Sequence, residues 1–550
     1  MQKKKILIIS IAAVAIVMTA AAFGWCRWAS ATRVALVNYN VITQMQMSEA
    51  NTCPSVCLES VSPEDFRRLR RFDMVLVNGM GLKITEEQRS MLVKASLSVP
   101  FLTVMSTNPA NEITTLDDSI SGPVYEYLAN GGQSNYRNLF LYIRKYVDGK
   151  HFRTNEPQPA SELVEGLLYS PEDGGREFFS VKGYREWLES QGNRDSDSPR
   201  IILTGRMGEP GALSDALEEK GYQVYCVRDF RTLVEGGHVD SIAPAALINM
   251  AHGRLGDYAV KYLERADIPY FAPLNVNTLR EDWEASPRGM TGGFLSQSIV
   301  MPEIDGAIRP YSLFAHVQGK DGIRKVGVMP DRLHDFVETV DRYVSLAVKP
   351  EKDKKIAIFY YKGPGQNALS AGGMEVVPSL FNLLCRLREE GYDVKNLPSS
   401  ADEFGQILQE RGPVFGNYAE GAISRFLNSG YPVFISEKEY SGWVSSALLP
   451  EKYDEITAVD GKFPGKYLAT EDGRLAVAAV RFGNVVLLPQ PAAGYGDNAF
   501  KVVHGTEMAP PHEYVAAYLW ARYGFGADAV VHFGSHGSLE FTPGKQAALA

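Results

Sequence analysis

Seven short apolar runs limit the folds open to this chain. They cover residues 34–38, 74–77, 201–204, 245–249, 356–360, 485–489 and 529–532. Glycine, asparagine or proline closes nearly every run. Continuous apolar runs bounded in this way suit parallel strands buried on both faces. Segments of helical periodicity lie between them, such as 212–220 and 377–390. The alternation predicts an α/β fold of several doubly wound parallel-sheet modules.

At 550 residues the chain is too long for one domain. A prior of roughly 150 residues per domain suggests three or four. Polar stretches at 154–161, 191–199 and 349–355 mark breaks. They predict modules over 32–190, 200–350 and 355–550. The net charge of -9 carries no basic footprint and excludes a nucleic-acid partner.

Residues 1–31 stand apart. Lys3, Lys4 and Lys5 precede an apolar run over 6–23 that only Ser10 and Thr19 interrupt. A basic flank before an apolar run reads as a transmembrane or signal helix. Ala29-Ser30-Ala31 offers a late cleavage site. The lysines should stay in the cytoplasm. The expected location is therefore an inner-membrane anchor with the bulk of the chain on the periplasmic side, or the periplasm if the signal is cleaved. Cys53 and Cys57 are close enough for a disulfide in such a compartment, or lie idle in a loop.

In parallel sheets, ligands sit outside the carboxyl ends of strands. Polar groups just after an apolar run therefore carry most weight. They are Asn78-Gly79, Thr204-Gly205-Arg206, His252-Gly253-Arg254, Lys362-Gly363-Pro364-Gly365, Gln490-Pro491 and Gly534-Ser535-His536-Gly537. None matches a phosphate-binding glycine loop in context.

The last fifty residues hold four of the nine histidines: His504, His512, His532 and His536. Glu507, Glu513, Asp528 and Glu540 lie among them. Imidazole with carboxylate suits borderline divalent metals and also supplies acids and bases near neutral pH. A closed zinc site would ask for cysteine, and no cysteine follows Cys385.

Three stretches carry a resemblance. They are Pro510-Pro511-His512, then 523–529 (YGFGADA), then 532–545 (HFGSHGSLEFTPGK). In residue types and spacing they resemble the signature of the CobN and magnesium-chelatase large-subunit family (BchH/ChlH). Weaker likeness runs through 301–307 and 356–365. Ser535 replaces the usual threonine and keeps its hydroxyl.

The resemblance implies a large subunit that binds a tetrapyrrole and carries the site of metal exchange. It makes 355–550 the start of a chelatase core domain that continues beyond residue 550. It implies Glu540, His536 and Glu507 as catalytic residues, and His532, His536 and Glu540 as metal ligands. His504, His512, His532, Lys545, His252 and Arg254 would contact the tetrapyrrole.

Exported placement separates the chain from the cytoplasmic ATPase subunits of cobalt and magnesium chelatases, which are not expected partners. It favours the membrane-associated branch resembling HmuS, found beside haem-uptake proteins. The expectation is an enzyme (a lyase on a tetrapyrrole–metal bond) that removes iron from haem, helped by a reductant. One alternative is cobalt insertion into a corrin ring. Another is a non-enzymatic haem or porphyrin carrier.

Overall fold

The computed structural model describes residues 18, 25, 29–163, 165–171, 175–191, 197–319, 322–361, 370–371, 373–415, 420–492, 494 and 509–534. The lysine-flanked run at the start thus lies almost wholly outside the described residues. Among those described, no helix is long and apolar enough to cross a membrane. The chain divides into two compact units between Val337 and Glu338.

The first unit contains fourteen strands among its described residues. Four form its first sheet: β1 (Thr32–Val37), β2 (Val56–Ser60), β3 (Met74–Asn78) and β4 (Phe101–Val104). Their order is β2-β1-β3-β4, all parallel. Alternate residues of each strand point to opposite faces. Val34, Leu36, Met74 and Leu76 therefore enter one core, and Ala35, Val37, Val75 and Val77 enter another. This is why the runs are apolar throughout. Local signals set the helix starts: Asn40 caps Val41–Ala50, and Thr85 with Gln88 forms a capping box for Glu86–Ser96.

Arg144 locks the start of this sheet. It is 0% exposed. It donates to the carbonyls of Ser30 (2.9 Å), Ser55 (3.1 Å) and Phe152 (3.2 Å). It also donates to the hydroxyls of Thr32 (3.0 Å) and Thr154 (2.9 Å). The disulfide allowed by the sequence does not form. Cys53 is buried and Cys57 is exposed on β2, and both are free.

The next eight strands are β5 (Leu168–Ser170), β6 (Arg176–Phe178), β7 (Arg200–Thr204), β8 (Gln223–Val227), β9 (Ala246–Asn249), β10 (Tyr270–Phe271), β11 (Leu274–Leu279) and β12 (Ala307–Ile308). All but β11 build a sheet in the order β12-β10-β9-β7-β8-β5-β6. Five of its strands pair in parallel; β5 runs antiparallel to both β8 and β6, so it alone is reversed in the sheet. The hairpin β5-β6 and the helix Val181–Ser190 pack into this second core. The polar stretch before residue 200 therefore interrupts a module that begins earlier, near residue 168. A third sheet joins β11 to β13 (Ser312–Gln318) and β14 (Arg324–Val328).

The second unit is built on β15 (Ile356–Tyr360). The hairpin β16 (Ser370–Ala371) and β17 (Met374–Glu375) follows, then β18 (Val433–Ile435), β19 (Leu475–Val477), β20 (Val480–Phe482), β21 (Val485–Pro489) and β22 (Ala529–Phe533). Its main sheet runs β20-β21-β15-β22. β15 is parallel to both β21 and β22. The chain leaves β15 for β21 on one side and then returns to β22 on the other. Such a reversal opens a crevice at the carboxyl ends of the strands. The fold is thus α/β with parallel sheets, as expected.

Candidate active site at the carboxyl edge of the second unit

The carboxyl edge of this sheet gathers Phe359 and Tyr360 of β15, Gln490 after β21, and His532 of β22. Phe359 and His532 are register partners. Their rings stack at 5.6 Å and 15°. Tyr518, on the helix His512–Leu519, completes the cluster. It lies 4.4 Å from Phe359 and 5.9 Å from His532, nearly parallel to both. The Tyr518 hydroxyl donates to Gln490 Oε1 at 3.0 Å. An imidazole held against two flat rings has a fixed orientation. It can serve as an axial ligand or as part of a stacking surface for a planar macrocycle.

Tyr518→Phe tests this scaffold. It removes the bond to Gln490, a buried side chain. The expected loss of stability is about 1–2 kcal/mol by urea unfolding. An unchanged midpoint would show that Gln490 does not depend on Tyr518.

The direction of the helix follows from its contacts. Tyr518 meets the carboxyl ends of β15 and β21. Further along, the Phe525 carbonyl accepts from Lys355 Nζ at 3.0 Å, just before the amino end of β15. The helix therefore runs from the carboxyl edge towards the amino edge. Asp528 fixes that lower end, accepting from Lys349 Nζ (2.7 Å) and Lys355 N (2.7 Å).

His512 begins the helix and is 0% exposed. Its Nδ1 meets the Tyr440 hydroxyl at 2.9 Å, and its Nε2 meets the Gly461 carbonyl at 2.9 Å. A carbonyl only accepts, so Nε2 carries the hydrogen. Its backbone N–H donates to Asp460 Oδ2 at 3.0 Å. Both ring nitrogens are thus engaged within the protein. A tetrapyrrole contact at His512 would require breaking those bonds. Here His512 positions the helix. Its partners lie in distant segments, which no local pattern could have revealed.

Glu513 follows His512, and in the sequence it stands out only as one member of the acidic cluster. Its Oε2 is buried and makes no hydrogen bond. Burial first, and the nearby Asp460 second, push its carboxyl up to about 8. Asp460 is fully engaged, since it also accepts from Lys466 N at 3.1 Å.

His252 and Arg254 lie in the first unit, after β9. The His252 ring meets Phe294 edge-on at 5.4 Å. Arg254 Nε pairs with Asp305 Oδ1 at 2.7 Å, and Asp305 Oδ2 accepts from Gly256 N at 3.1 Å. The Asp305 side chain is fully buried. Arg254 is thus held by a buried carboxylate from the stretch 301–307 that carries the weaker family likeness. His504, Glu507, His536, Glu540 and Lys545 lie outside the described residues. Among the described residues, no three His, Cys, Asp or Glu side chains converge to hold a metal ion.

A family model described as CobN/Magnesium Chelatase matches residues 125–550. The chain belongs to the CobN/magnesium chelatase family. The aerobic cobaltochelatase subunit CobN of Pseudomonas aeruginosa is 30% identical over 450 residues, covering 78% of this chain and 34% of that protein. The chloroplastic magnesium-chelatase subunit ChlH of Oryza sativa subsp. indica is 28% identical over 404 residues, covering 67% of this chain and 28% of that protein. The solved catalytic subunit of cobaltochelatase from Mycobacterium tuberculosis shares the fold. It has a TM-score of 0.68 at 23% identity, covering 94% of this chain and 44% of that one. The chain spans 28–39% of the length of the curated relatives it matches.

Proposed function

We propose that this chain is the tetrapyrrole-handling part of a metal chelatase and that its reaction removes iron from haem, leaving the porphyrin intact. Family membership supports the chelatase class. The observation that carries the reading is the carboxyl edge of β22. There His532 is fixed against Phe359 and Tyr518, at the reversal of strand order, where the signature 532–545 begins. The lysine-flanked apolar start supports the direction, since an exported enzyme works without ATP-driven insertion.

In this reading Glu540 gives a proton to a ring nitrogen, with His536 and Glu507 beside it. His532, His536 and Glu540 receive the departing iron. His504 and Lys545 complete the contact with the macrocycle. A reductant helps, because ferrous iron is held less tightly by the ring. Membrane attachment through the N-terminal helix and placement beside haem-uptake proteins belong to the same proposal. A second reading, cobalt insertion into a corrin, is favoured by the relatives named as cobaltochelatase and magnesium-chelatase subunits.

Anaerobic incubation of the protein with haem and dithionite separates these readings. The expected result is fluorescent metal-free porphyrin without ATP. Cobalt uptake by a corrin, dependent on ATPase subunits, would replace it with the second reading. A Soret band that persists unchanged would leave a carrier.

A further inference from the structure

Only residues 24–31 separate the apolar run 6–23 from β1. The amino edge of the first sheet therefore lies within about 29 Å of the end of that run. We propose that this edge is a docking surface for an anionic phospholipid bilayer, a second contact beside the N-terminal segment. This rests on the membrane attachment in the proposed function and deepens it.

Buried cations fix the point of entry. Arg144 holds the Ser30 carbonyl, and Lys150 Nζ holds the Ala31 carbonyl at 3.1 Å. Lys150 in turn pairs with Asp148 at 2.8 Å. The chain thus enters β1 at one set place on the amino edge. Beside it, Trp25 is 59% exposed, and its ring lies 5.7 Å from that of Phe152. The Arg153 guanidinium sits 5.3 Å from the Phe152 ring. Tryptophan gathers where a membrane meets water, and arginine reaches from apolar surface to phosphates.

The rest of the edge carries the same chemistry. The short helix Pro63–Arg71 runs from the carboxyl end of β2 to the amino end of β3. The helix Glu86–Ser96 runs from the carboxyl end of β3 to the amino end of β4. Both start with acids, Glu64 and Asp65 in one, Glu86 and Glu87 in the other. Both end with bases, Arg70 and Arg71 in one, Lys94 in the other. The Arg70 guanidinium meets the Lys94 carbonyl at 3.4 Å, so the two basic ends adjoin. Arg70, Arg71, Lys94 and Arg153 are all exposed, and none of them pairs with a carboxylate among the described residues. The row crosses the sheet from β2 to β4, about 15 Å at the usual strand spacing.

Helix dipoles favour bases at helix ends. They do not account for the apolar pair set among these bases. Val93 and Leu97, one turn apart, are 47% and 84% exposed, while Leu92 and Ala95 enter the core. Acids that could cancel the charge are engaged or remote. Asp73 accepts from Arg33 N, and Asp148 from the Thr32 hydroxyl. Asp117 and Asp118 lie past β4, at the far end. Exposed bases around an apolar pair, in a chain of net charge -9, match a surface of lipid phosphates with acyl chains beneath.

The test places the full-length protein in nanodiscs, one set of phosphatidylcholine and another rich in phosphatidylglycerol. Amide hydrogen exchange is followed at residues 70–73, 93–98 and 151–154. Anionic nanodiscs should slow exchange there relative to neutral ones. Salt at about 0.5 M should abolish the difference, since screening shortens charge attraction to a few ångströms. Each base near an anionic surface is worth about fivefold in binding. The triple variant Arg70→Gln, Arg71→Gln, Lys94→Gln should therefore weaken the contact about 10²-fold and exchange as the wild type does on neutral lipid. Its thermal midpoint should match the wild type, because all three side chains are exposed. Equal exchange on the two lipids, or a triple variant that behaves as the wild type, overturns the proposal and leaves membrane attachment standing. Protection that grows with protein concentration on neutral lipid means that a second copy covers the edge, and overturns it too. A wild-type protein that associates with neither nanodisc removes membrane attachment and this proposal together.

Discussion

Glu540→Gln is expected to bind haem as tightly as the wild type and to release no metal-free porphyrin. A general acid contributes about 10²–10⁴-fold, so turnover should drop by at least two orders of magnitude. The amide matches the carboxyl in size and keeps hydrogen bonds, so binding and folding should survive. The choice rests on the signature HFGSHGSLEF, in which Glu540 follows two histidines and a run of small residues. Single-turnover demetallation, read by porphyrin fluorescence, separates loss of chemistry from loss of binding. Normal turnover by Glu540→Gln would end its assignment as proton donor.

Arg144→Met should have the largest effect on stability. The guanidinium is fully buried and makes five hydrogen bonds to neutral groups, three of them backbone carbonyls. Methionine fills much of the volume but leaves those acceptors without a donor. Each unsatisfied buried group costs about 1–3 kcal/mol, with partial relief from water. The net loss should be about 3–5 kcal/mol by urea unfolding. Arg144→Lys should recover only part of it, because an ammonium cannot span the same fork of acceptors. An Arg144→Met midpoint indistinguishable from wild type would mean that these acceptors find other donors.

Six of the seven strands legible in the sequence are buried on both faces; β22, from the run 529–532, is the exception, with Val530 and Val531 exposed. The runs at 34–38, 74–77, 201–204, 356–360 and 485–489 became β1, β3, β7, β15 and β21, with ends shifted by no more than two residues. β10 has two residues and exists only because β9 and β12 flank it. β5 and β6 are short, and the pairing of β5 with β8 across a long intervening stretch leaves no local trace. The same limit governed the site. Family spacing located His532, and the structure gave it a stacked setting. His512 and Arg254 were both expected to contact the tetrapyrrole, yet Tyr440, Gly461 and Asp305 hold them. A charge or imidazole near a ligand edge reads the same in sequence whether it faces a ligand or a distant partner. Glu513 was one acidic residue among four until its missing donor could be seen.

The central place of β15 has a consequence for synthesis. Both of its neighbours come much later in the chain, beginning at Val485 and Ala529. The four strands of the first sheet all emerge between residues 32 and 104. That sheet can close while translation continues. β15 leaves the ribosome as an apolar segment with neither partner made, and its sheet cannot close until residue 533 is out. Pairings this distant in sequence fold slowly and expose strand edges meanwhile. The sheet of the second unit therefore stays open longer during synthesis than the first sheet does.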